Sequence, residues 1–404
     1  MFPMRIAIDY TAAIRQQAGI GNYVRKLVDA LLEQDSSNQY ILLTSGRPTR
    51  ERPFPQAENV RGRSIFIPDR YLNVIWYRWR LPLYATYFSG QVDIYHGPDF
   101  ALPPAGKDLR KVVTVHDLAF LDHPEYAVPS LAAYLRKVVP EAIAAADVVC
   151  TVSHEVNRTL IKHFQTPREK LVVIPNGVSP YFRRITDPLL LAATQHKYGL
   201  KHPLVLGVGT LEPRKNHIGL IRAFSQAHKK KGGPAMLALA GGKGWLYEET
   251  QQLVEELRLE KKVRFLGRVS DHELVTLYNL ADVFAFPSFV EGFGVPPMEA
   301  MACGVPVITS NTSSLPEVVG DAALMVDPQK SGELSAAIMR ILGDKQLQEE
   351  LRQKGYERVK HYTWSASARK MLSVYQKVYA GITDFSDEAS TVSRTQSPKG
   401  DGLV

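Results

Sequence analysis

The chain has 404 residues, of which 45% are hydrophobic and 22% are charged, and this composition is ordinary for a globular protein. The length favours two domains, and no apolar run approaches the ~20 residues that a membrane-spanning helix needs. The first residues enter a predicted strand directly, without the pattern of a signal peptide, so we expect a cytoplasmic protein. Both cysteines, Cys150 and Cys303, lie beside small or apolar residues, which argues against a disulfide framework or a thiolate metal site.

The formal net charge of +8 is compatible with three kinds of partner: nucleic acid, an anionic membrane surface or an anionic small substrate. No recognisable nucleic-acid-binding module accompanies the charge, so we expect no nucleic-acid partner. An enzyme that acts at a membrane on an anionic substrate would explain the charge. Scattered solvated lysines would explain it equally well.

Apolar, strand-like runs alternate with helical patterns along the chain, which predicts an α/β protein with parallel sheets. In the first half, a glycine turn and an amphipathic helix over 17–32 follow the first strand. A turn cluster at 176–180 and irregular polar sequence to about residue 200 predict a linker between two domains. The strands predicted in this half lie at 5–9, 40–44, 92–95, 111–115, within 144–153 and at 171–175.

Two glycines, Gly19 and Gly21, stand between the first strand and its helix, where backbone N–H groups can cradle a diphosphate. Such a pair more often forms a plain turn. No third glycine completes the dinucleotide fingerprint, which disfavours a nicotinamide dehydrogenase. His116 and Asp117 end another predicted strand, where ligands bind in open α/β sheets, although a histidine there is more often structural.

Residues 93–103 form a predicted strand and a proline-stiffened loop that carries His96 and Asp99. These two side chains either contact a ligand or stabilise the loop through hydrogen bonds. Residues 70–82 interleave aromatic residues with arginines, which is typical of a segment lying on an anionic membrane. A helix with its tryptophan and leucine packed inward and its arginines solvated is somewhat more common for such a pattern.

A second series of strands and helices fills the rest of the chain, so two nucleotide-binding-like halves follow one another. A terminal helix is predicted over 365–379. The residues from about 381 are rich in serine, threonine, aspartate and glycine without an apolar period, which predicts a disordered tail. The strands predicted in this half lie at 203–209, 236–242, 263–267, 283–286, 305–308 and 322–326.

The loop at 207–217 follows a buried strand and precedes an amphipathic helix. It contains Gly209, Thr210 and the basic pair Arg214 and Lys215. Ligands bind at the carboxyl ends of parallel strands, and two cations there would neutralise the charge that builds on a departing nucleoside diphosphate. The alternative is an exposed basic turn.

Glu291 and Glu299 lie on either side of a glycine-rich turn that follows a strand and runs into a helix. Pro296 or Pro297 suits the first helical position, Glu299 suits the first turn, and Gly304 suits the C-terminal cap. A carboxylate accepts hydrogen bonds from vicinal hydroxyls, so the two acids could hold two separate diols, and the helix N-terminus suits a phosphate. The alternative is a solvated loop acid and a glutamate that only complements the helix dipole.

The segments 207–217 and 286–328, the latter including 304–310 and 315–323, resemble the nucleotide-sugar site of family 4 glycosyltransferases. Members are retaining enzymes with the two-domain GT-B fold, and the stretch 209–216 is similar to that of mannosyltransferase-like members. The resemblance extends to about residue 379 and implies two Rossmann-like, doubly wound parallel-sheet domains facing a deep interdomain cleft. The implied parts are an acceptor-side domain at 1–180 with a helix at 364–380 crossing back, a nucleotide-sugar-binding domain at 200–360, and a tail at 381–404.

The resemblance also implies a role for each candidate residue. Glu299 binds the nucleoside ribose, Glu291 binds the hydroxyls of the donor sugar, and Arg214 and Lys215 hold the diphosphate. His116 faces the reacting sugar. The residues implied to contact the donor are Gly19, Gly21, Gly209, Thr210, Phe293, Gly294 and Val295. At the position of Thr210 many members have an arginine. The residues implied to lie beside the acceptor are His96, Asp99 and Asp117.

In this family no enzymic nucleophile is generally found and the leaving phosphate takes the acceptor's proton, so we expect electrostatic stabilisation and positioning to supply most of the rate. The chain has no Asp-x-Asp triplet, so we expect transfer without a metal or another cofactor. We expect GDP-mannose as the donor, a saccharide or lipid-linked acceptor in polysaccharide biosynthesis, and peripheral contact with the inner face of the plasma membrane.

Three alternatives remain from the sequence. One is a transferase of the same fold that uses a UDP-sugar (glucosyl or N-acetylhexosaminyl) and a soluble acceptor. Another is a catalytically silent subunit that binds a nucleotide sugar. The third is an epimerase or phosphorylase of this fold, and the phosphorylase would require a pyridoxal lysine site that we do not identify.

Overall fold

The computed structural model describes residues 3–386 except 18, 51, 69–70, 73, 80, 82–84, 105, 107–108 and 246. The chain divides into two compact units. Unit 1 comprises the residues up to His116, those from 135 to 174 and those from Ala368 onward, and unit 2 comprises 117–134 and 175–367. Residues 117–134 therefore group with the second half of the chain, although they lie inside the predicted N-terminal domain.

The described strands of unit 1 form a parallel sheet in the order β3-β2-β1-β4-β5-β6-β7. The central strands are apolar runs that are buried on both faces, as parallel sheets require. Strand β3 was not predicted because its sequence contains two arginines and a glycine, and it forms a largely exposed edge. The strands are β1 Arg5–Asp9, β2 Gln39–Ser45, β3 Val60–Ile65, β4 Ile94–Gly97, β5 Arg110–Val115, β6 Val148–Thr151 and β7 Leu171–Val173.

The described strands of unit 2 form a second parallel sheet in the order β10-β9-β8-β11-β12-β13. The chain adds β9 and β10 on one side of β8 and then returns to place β11 on its other side. The strand order thus reverses between β8 and β11, and ligands of open α/β sheets bind beside the carboxyl ends at such a reversal. The strands are β8 Leu204–Val208, β9 Met236–Ala240, β10 Val263–Gly267, β11 Val283–Phe286, β12 Val307–Ser310 and β13 Ala323–Val326.

The helices follow the strands in the pattern that the sequence predicts. In α2, for example, Val24, Leu27 and Leu31 recur on one face and are buried. The described helices are α1 Thr11–Arg15, α2 Ile20–Gln34, α3 Thr86–Ser89, α4 Ala119–Asp122, α5 Pro129–Ala145, α6 His154–Phe164, α7 Pro188–Tyr198, α8 His217–His228, α9 Tyr247–Glu256, α10 Asp271–Leu280, α11 Val295–Ala302, α12 Leu315–Val319, α13 Ser331–Gly343, α14 Lys345–Val359 and α15 Trp364–Tyr379, with a π-helical turn at Val74–Arg78 and 3₁₀ turns at Pro124–Tyr126, Arg168–Lys170 and Pro213–Lys215.

Two local predictions differ from the structure. Helix α11 begins at Val295, so Pro296 occupies its second position and Glu299 its fifth, beyond the first turn. The predicted tail starts too early, because Phe385 is fully buried and its N–H donates to the Glu169 carbonyl at 2.8 Å. Residues 387–404 of that predicted tail lie outside the described residues.

The aromatic and arginine-rich segment at 70–82 is described only in part, since residues 70, 73, 80 and 82 lie outside the described residues. Within it Leu72 and Trp76 are buried, whereas Tyr71, Trp79 and Leu81 are exposed. The described part therefore has the inward packing expected of an ordinary helix and the exposed aromatic residues expected of a segment that lies on a membrane. Across the described ranges, no helix combines the length and the apolar character that crossing a bilayer requires.

Candidate active site

Asn216 anchors the loop that follows β8. It adopts a left-handed backbone conformation with φ 54°, and its Oδ1 accepts the Gly219 N–H at 3.1 Å to cap α8. Its Nδ2 donates to the Pro287 carbonyl at 3.1 Å and to the Pro328 carbonyl at 2.7 Å. One buried side chain thus joins the loops after β8, β11 and β13. We did not predict this role, although an asparagine directly before an amphipathic helix is a recognisable capping signal.

Arg214 lies in the 3₁₀ turn before this cap and is held by two carboxylates. Its Nη1 donates to Glu291 Oε2 at 3.0 Å and to the Val290 carbonyl at 3.1 Å. Its Nε and Nη2 lie 3.2 and 3.1 Å from Glu212 Oε1. Burial lowers the pKa of Arg214, but the neighbouring carboxylates, first Glu291 and then Asp117, outweigh burial and raise it. The guanidinium therefore stays charged in a fixed orientation.

Lys215 completes the basic pair. Its side chain is 12% exposed, and its Nζ lies 2.5 Å from Glu291 Oε1 and 5.1 Å from the centre of the Phe286 ring. Burial and the charge of Arg214 lower the pKa of Lys215 despite the opposing effect of Glu291. Gly209, at φ 147°, lies under this side chain, and a Cβ there would stand 3.4 Å from Lys215 Cδ. The distance is an ordinary van der Waals contact, so the positive φ is what favours glycine at this position.

Glu291 receives both basic side chains, one on each carboxylate oxygen. The residue is 8% exposed, its N–H donates to Ser313 Oγ at 3.0 Å, and its carbonyl accepts from Ser314 Oγ at 2.8 Å. Burial raises the pKa of Glu291, but Arg214 and Lys215 more than compensate and leave it below its usual value. We call Arg214, Lys215 and Glu291 the ion cluster. The sequence placed these residues at one site but did not predict that they pair with one another.

Glu299 projects from α11 and is only partly buried by neighbouring residues. The hydroxyl of Tyr278 donates to Glu299 Oε2 at 3.0 Å. Burial raises the pKa of Glu299 to about 7, and this exceeds the lowering by the Tyr278 hydrogen bond. A carboxyl group with this pKa changes its charge near neutral pH. No sequence pattern pointed to Tyr278, which lies 21 positions earlier in the chain.

The turn before α11 is tightly packed. Gly294 adopts φ 100°, and a Cβ there would lie 2.5 Å from Leu315 Cδ2. Phe293 is buried, with its ring edge-on to Tyr362 at 5.4 Å, and its carbonyl accepts from Ser314 Oγ at 3.1 Å. Val295 is the first helical residue. The N–H groups that open a helix have no partner within it, so this turn is the place where a ligand could accept hydrogen bonds from the backbone.

Thr210 and Asp117 also lie in unit 2. Thr210 is exposed, and its carbonyl lies 3.2 Å from Nε2 of the buried His217. Asp117 Oδ1 accepts the Ala119 N–H at 3.0 Å, and its charge acts on Arg214. The structure therefore connects Asp117 electrostatically with Arg214, and its acceptor-side role stays a prediction.

Unit 1 carries the predicted glycine pair at the start of α2. Gly19 is exposed with φ 55° and precedes the helix, whose first residue is Ile20. Gly21 is buried, and a Cβ there would lie 2.4 Å from the Gln16 carbonyl oxygen. Gly21 is therefore required for the close packing of α1 and α2, and Gly19 is the glycine whose backbone faces solvent.

His116 follows β5 and is buried apart from a small exposed fraction. Its Nε2 donates to the Pro98 carbonyl at 2.7 Å, and its ring lies edge-on to Tyr23 at 4.7 Å. The ring orientation is thereby fixed. Asp99 is partly buried and accepts from Gln16 Nε2 at 3.3 Å.

His96 is not placed to contact an acceptor. It is fully buried, with Nδ1 at 2.7 Å from the Tyr375 hydroxyl and Nε2 at 2.9 Å from Thr114 Oγ1. Burial, with a smaller contribution from His116, lowers its pKa to about 3, so the ring is neutral. The structure contradicts its predicted acceptor-side position, and its partners Tyr375 and Thr114 lie outside the loop that the alternative of loop-stabilising hydrogen bonds named.

Comparison with known proteins shows the family to which the chain belongs. The sequence model described as Glycosyltransferase Family 4 matches residues 18–181, and the model described as Glycosyl transferases group 1 matches residues 191–358. The O-antigen chain mannosyltransferase B of Escherichia coli is 36% identical over 300 residues, which are 74% of this chain and 76% of that protein. The chain belongs to glycosyltransferase family 4.

Two further comparisons are consistent with this membership. The glycosyltransferase is 28% identical to the serotype-specific mannosyltransferase WbdA of Escherichia coli over 77% of its own length, but spans only 39% of WbdA. Its fold resembles that of sucrose-phosphate synthase from Thermosynechococcus elongatus, with a TM-score of 0.75, 22% identity, and coverage of 94% and 100% of the two chains. The predicted α/β class with two Rossmann-like parallel sheets, as in GT-B enzymes, is confirmed.

The predicted enzyme class is confirmed by the same findings: the protein is a hexosyltransferase that takes a nucleotide-sugar donor and a glycan acceptor. The roles of the individual site residues stay predictions. The structure brings Arg214, Lys215 and Glu291 together in unit 2, whereas Gly19 and His116 belong to unit 1.

Proposed function

We propose that this glycosyltransferase moves mannose from GDP-mannose to a saccharide or lipid-linked acceptor during polysaccharide assembly, with retention of configuration. The ion cluster at the strand-order reversal of unit 2 is the observation that carries the proposal, because it provides two cations and one carboxylate at the edge where ligands bind. The names of the Escherichia coli relatives, both mannosyltransferases, support mannose as the transferred sugar.

In the proposed reaction the basic pair holds the diphosphate and stabilises the charge that develops as the sugar leaves. Two buried cations do this more effectively than solvated ones, because they are already oriented and little water screens them. Glu291 accepts hydrogen bonds from the sugar hydroxyls, and Glu299 accepts them from the ribose. The turn at Gly294 offers backbone N–H groups to the phosphate. No step requires a metal ion, since Arg214 and Lys215 supply the positive charge.

The chemistry at the sugar depends on positioning. We propose that the leaving phosphate takes the acceptor's proton on the face that it vacates and that no enzyme side chain forms a covalent intermediate. His116, whose ring is fixed by the Pro98 carbonyl, would face the reacting sugar. Its Nε2–H is engaged by that carbonyl, so its role would be to shape the pocket and not to relay that proton.

A donor panel tests the proposal directly. The purified enzyme is incubated with GDP-mannose, UDP-glucose or UDP-N-acetylglucosamine and a mannose-terminated oligosaccharide, and the anomeric configuration of the product is read by NMR. We expect transfer from GDP-mannose with retention. Transfer only from a UDP-sugar would replace the proposed donor, and inversion would refute the mechanism. Nucleotide binding with neither transfer nor donor hydrolysis would identify a silent binding subunit.

We also propose a cytoplasmic location with peripheral contact to an anionic membrane through unit 1. Phe66, Trp79 and Tyr87 are 74%, 63% and 68% exposed, and the Arg47 guanidinium lies 5.3 Å from the centre of the Phe66 ring. Helix α3, which carries Tyr87, contacts the exposed edge strand β3 with its two arginines. Exposed aromatic rings beside arginines suit the interface of a membrane with anionic lipids.

Vesicle sedimentation tests this contact. We expect binding to vesicles with 30% phosphatidylglycerol, weak binding to pure phosphatidylcholine, and several-fold weaker binding after the double change of Phe66→Ser and Tyr87→Ser. A matched control replaces Leu189, an exposed apolar residue of unit 2, with serine. Equal binding of all variants, or no dependence on lipid charge, would contradict the contact.

A further inference from the structure

Tyr278 is a fully buried residue of α10 whose hydroxyl makes one polar contact at the candidate site. The hydroxyl donates to Glu299 Oε2 at 3.0 Å. The ring is held edge-on by Phe284, with centroids 5.3 Å apart, and by Phe182 at 6.0 Å. Because the ring is clamped on two sides, the position of the hydroxyl is set by packing and does not depend on Glu299.

The surroundings of Glu299 leave Tyr278 as its main polar contact. Helix α10 contributes Tyr278 and the negative charge of Asp271. Cys303, which directly follows α11, contributes a thiol whose pKa burial and then Glu299 raise to about 12. Strands β11 and β12, which also pack against α11, carry uncharged side chains. Helix α14 packs near Met301, and its Arg352 donates to the carbonyl of Gly304 at 2.9 Å, at the far end of α11.

A carboxylate that binds a diol must have a defined orientation, because each hydroxyl of the diol donates to a different carboxylate oxygen. A flexible glutamate loses side-chain entropy when it is fixed in this way, and a partner that fixes it beforehand removes part of that cost. The hydrogen bond from Tyr278 occupies one lone pair of Oε2 and leaves the other lone pairs of the carboxylate to a ligand.

We propose that Tyr278 is a positioning residue for nucleotide recognition, which orients Glu299 so that both of its oxygens meet the ribose diol. This inference rests on the proposed function, in which Glu299 binds the nucleoside ribose. Tyr278 does not itself touch the nucleotide in this proposal. It acts only through Glu299.

The variant Tyr278→Phe removes only the hydroxyl and keeps the ring. The ring must be kept because it packs in a row of aromatic rings that leads to the ion cluster. Phe284 lies beside Phe286 with centroids 6.1 Å apart, and Phe286 in turn contacts Lys215. Phenylalanine keeps this row. The matched control is Tyr40→Phe in unit 1, since Tyr40 is also fully buried and donates to a carboxylate, Asp35 Oδ2, at 2.6 Å.

Calorimetric titration with GDP and with 2′,3′-dideoxy-GDP separates positioning from a general structural effect, and UDP with its dideoxy analogue is run in parallel. We expect Tyr278→Phe to weaken GDP binding about tenfold, equivalent to ~1.4 kcal/mol, and to leave dideoxy-GDP binding unchanged. Tyr40→Phe should change neither. The loss should be larger at pH 6 than at pH 8.5, because removal of a donor raises the pKa of Glu299 further above about 7 and favours its neutral form.

Each other result has a distinct meaning. Equal weakening of GDP and dideoxy-GDP would show a structural effect and overturn the inference, as would unchanged binding of both. A wild-type enzyme that binds the ribose and dideoxyribose forms equally would refute the proposed role of Glu299. A wild-type enzyme that binds neither nucleoside diphosphate would refute the proposed function, and with it this inference.

Discussion

Two sets of buried polar groups, one in each unit, are of different kinds. In unit 1, His96 is neutral and hydrogen-bonded through both ring nitrogens, and Asp35 accepts from several donors of its own unit, including Tyr40. In unit 2, the ion cluster concentrates two cations and a carboxylate at one edge of the sheet. The unit 1 groups are satisfied by hydrogen bonds within their own unit, whereas the unit 2 groups are charges held together at the carboxyl edge of the sheet.

This difference separates buried polarity that maintains a fold from buried polarity that serves chemistry. Taking charges out of water costs several kcal/mol per ion, and their mutual attraction seldom returns much more than that cost. A stable core does not need such a cluster, and perturbed charged groups beside a binding edge are typical of functional sites. Substitutions in the ion cluster should therefore affect activity more than stability, and substitutions of the hydrogen-bonded groups around Asp35 the reverse.

The largest effect should follow removal of a charge from the ion cluster. Lys215→Ala or Glu291→Ala should lower transfer by about 10³-fold or more, since preorganised electrostatic groups supply most of the rate. Circular dichroism should show an unchanged fold. Lys330→Ala, which removes an exposed lysine paired with Glu333, is the control and should keep full activity. Normal turnover in Lys215→Ala would show that the ion cluster does not serve catalysis.

A subtler change should separate binding from catalysis within the cluster. Glu291→Gln removes the negative charge that pairs with Arg214 and Lys215 but keeps the shape of the side chain. We expect transfer to fall by about 10²-fold while GDP binds roughly fivefold more tightly, a gain of about 1 kcal/mol, because both cations become available to the diphosphate. Titration calorimetry measures the affinity. A weaker affinity for GDP would mean that the basic pair does not contact the diphosphate.

Glu299→Gln should weaken GDP binding and yet stabilise the protein at alkaline pH. Burial raises the pKa of Glu299 in the folded state to about 7 from an ordinary value of 4.5, so folding favours the protonated form. The stability that this provides is full below pH 4.5 and is lost as the pH rises through about 7. We expect the variant to melt roughly 2 °C higher than wild type at pH 8, with no gain at pH 4.5. A gain of equal size at both values would contradict the assignment.

The smallest effect on activity should come from the hydrogen bond between Tyr40 and Asp35 in unit 1. Tyr40→Phe removes a buried hydrogen bond to Asp35 and should lower the free energy of unfolding by about 1 kcal/mol. Its kcat and KM should match those of wild type. Chemical denaturation and a transfer assay measure the two quantities. A loss of activity without a loss of stability would show that this hydrogen bond serves activity and not the fold.

Most of the fold follows from the alternation of apolar runs with helical patterns, because buried parallel strands need such runs. Strand β3 was missed because an exposed edge strand does not need an apolar run, and its two arginines interrupt the apolar pattern. Helix α11 begins one residue before Pro296 and two before Pro297, the two predicted first positions, because Gly294, with its positive φ, is the N-cap residue.

The site could be predicted only in part, for a geometric reason. Loops at the carboxyl ends of adjacent parallel strands converge, so the proximity of Arg214 and Glu291 follows from the strand order. The pairing between them depends on side-chain directions that no local pattern encodes. The contact between Tyr278 and Glu299 joins two helices, and the burial of His96 under Tyr375 joins residues 279 positions apart.

Asn216 has a consequence for anyone who wishes to redesign this transferase. Because its amide joins the loops after β8, β11 and β13, the positions of these three loops depend on one another. A loop grafted from another family member would need a backbone carbonyl in the position that this amide reaches, and a displaced carbonyl would break the link to the other two loops. Donor exchange should therefore succeed when all three loops are transplanted as a set, or when only side chains are altered and the asparagine stays.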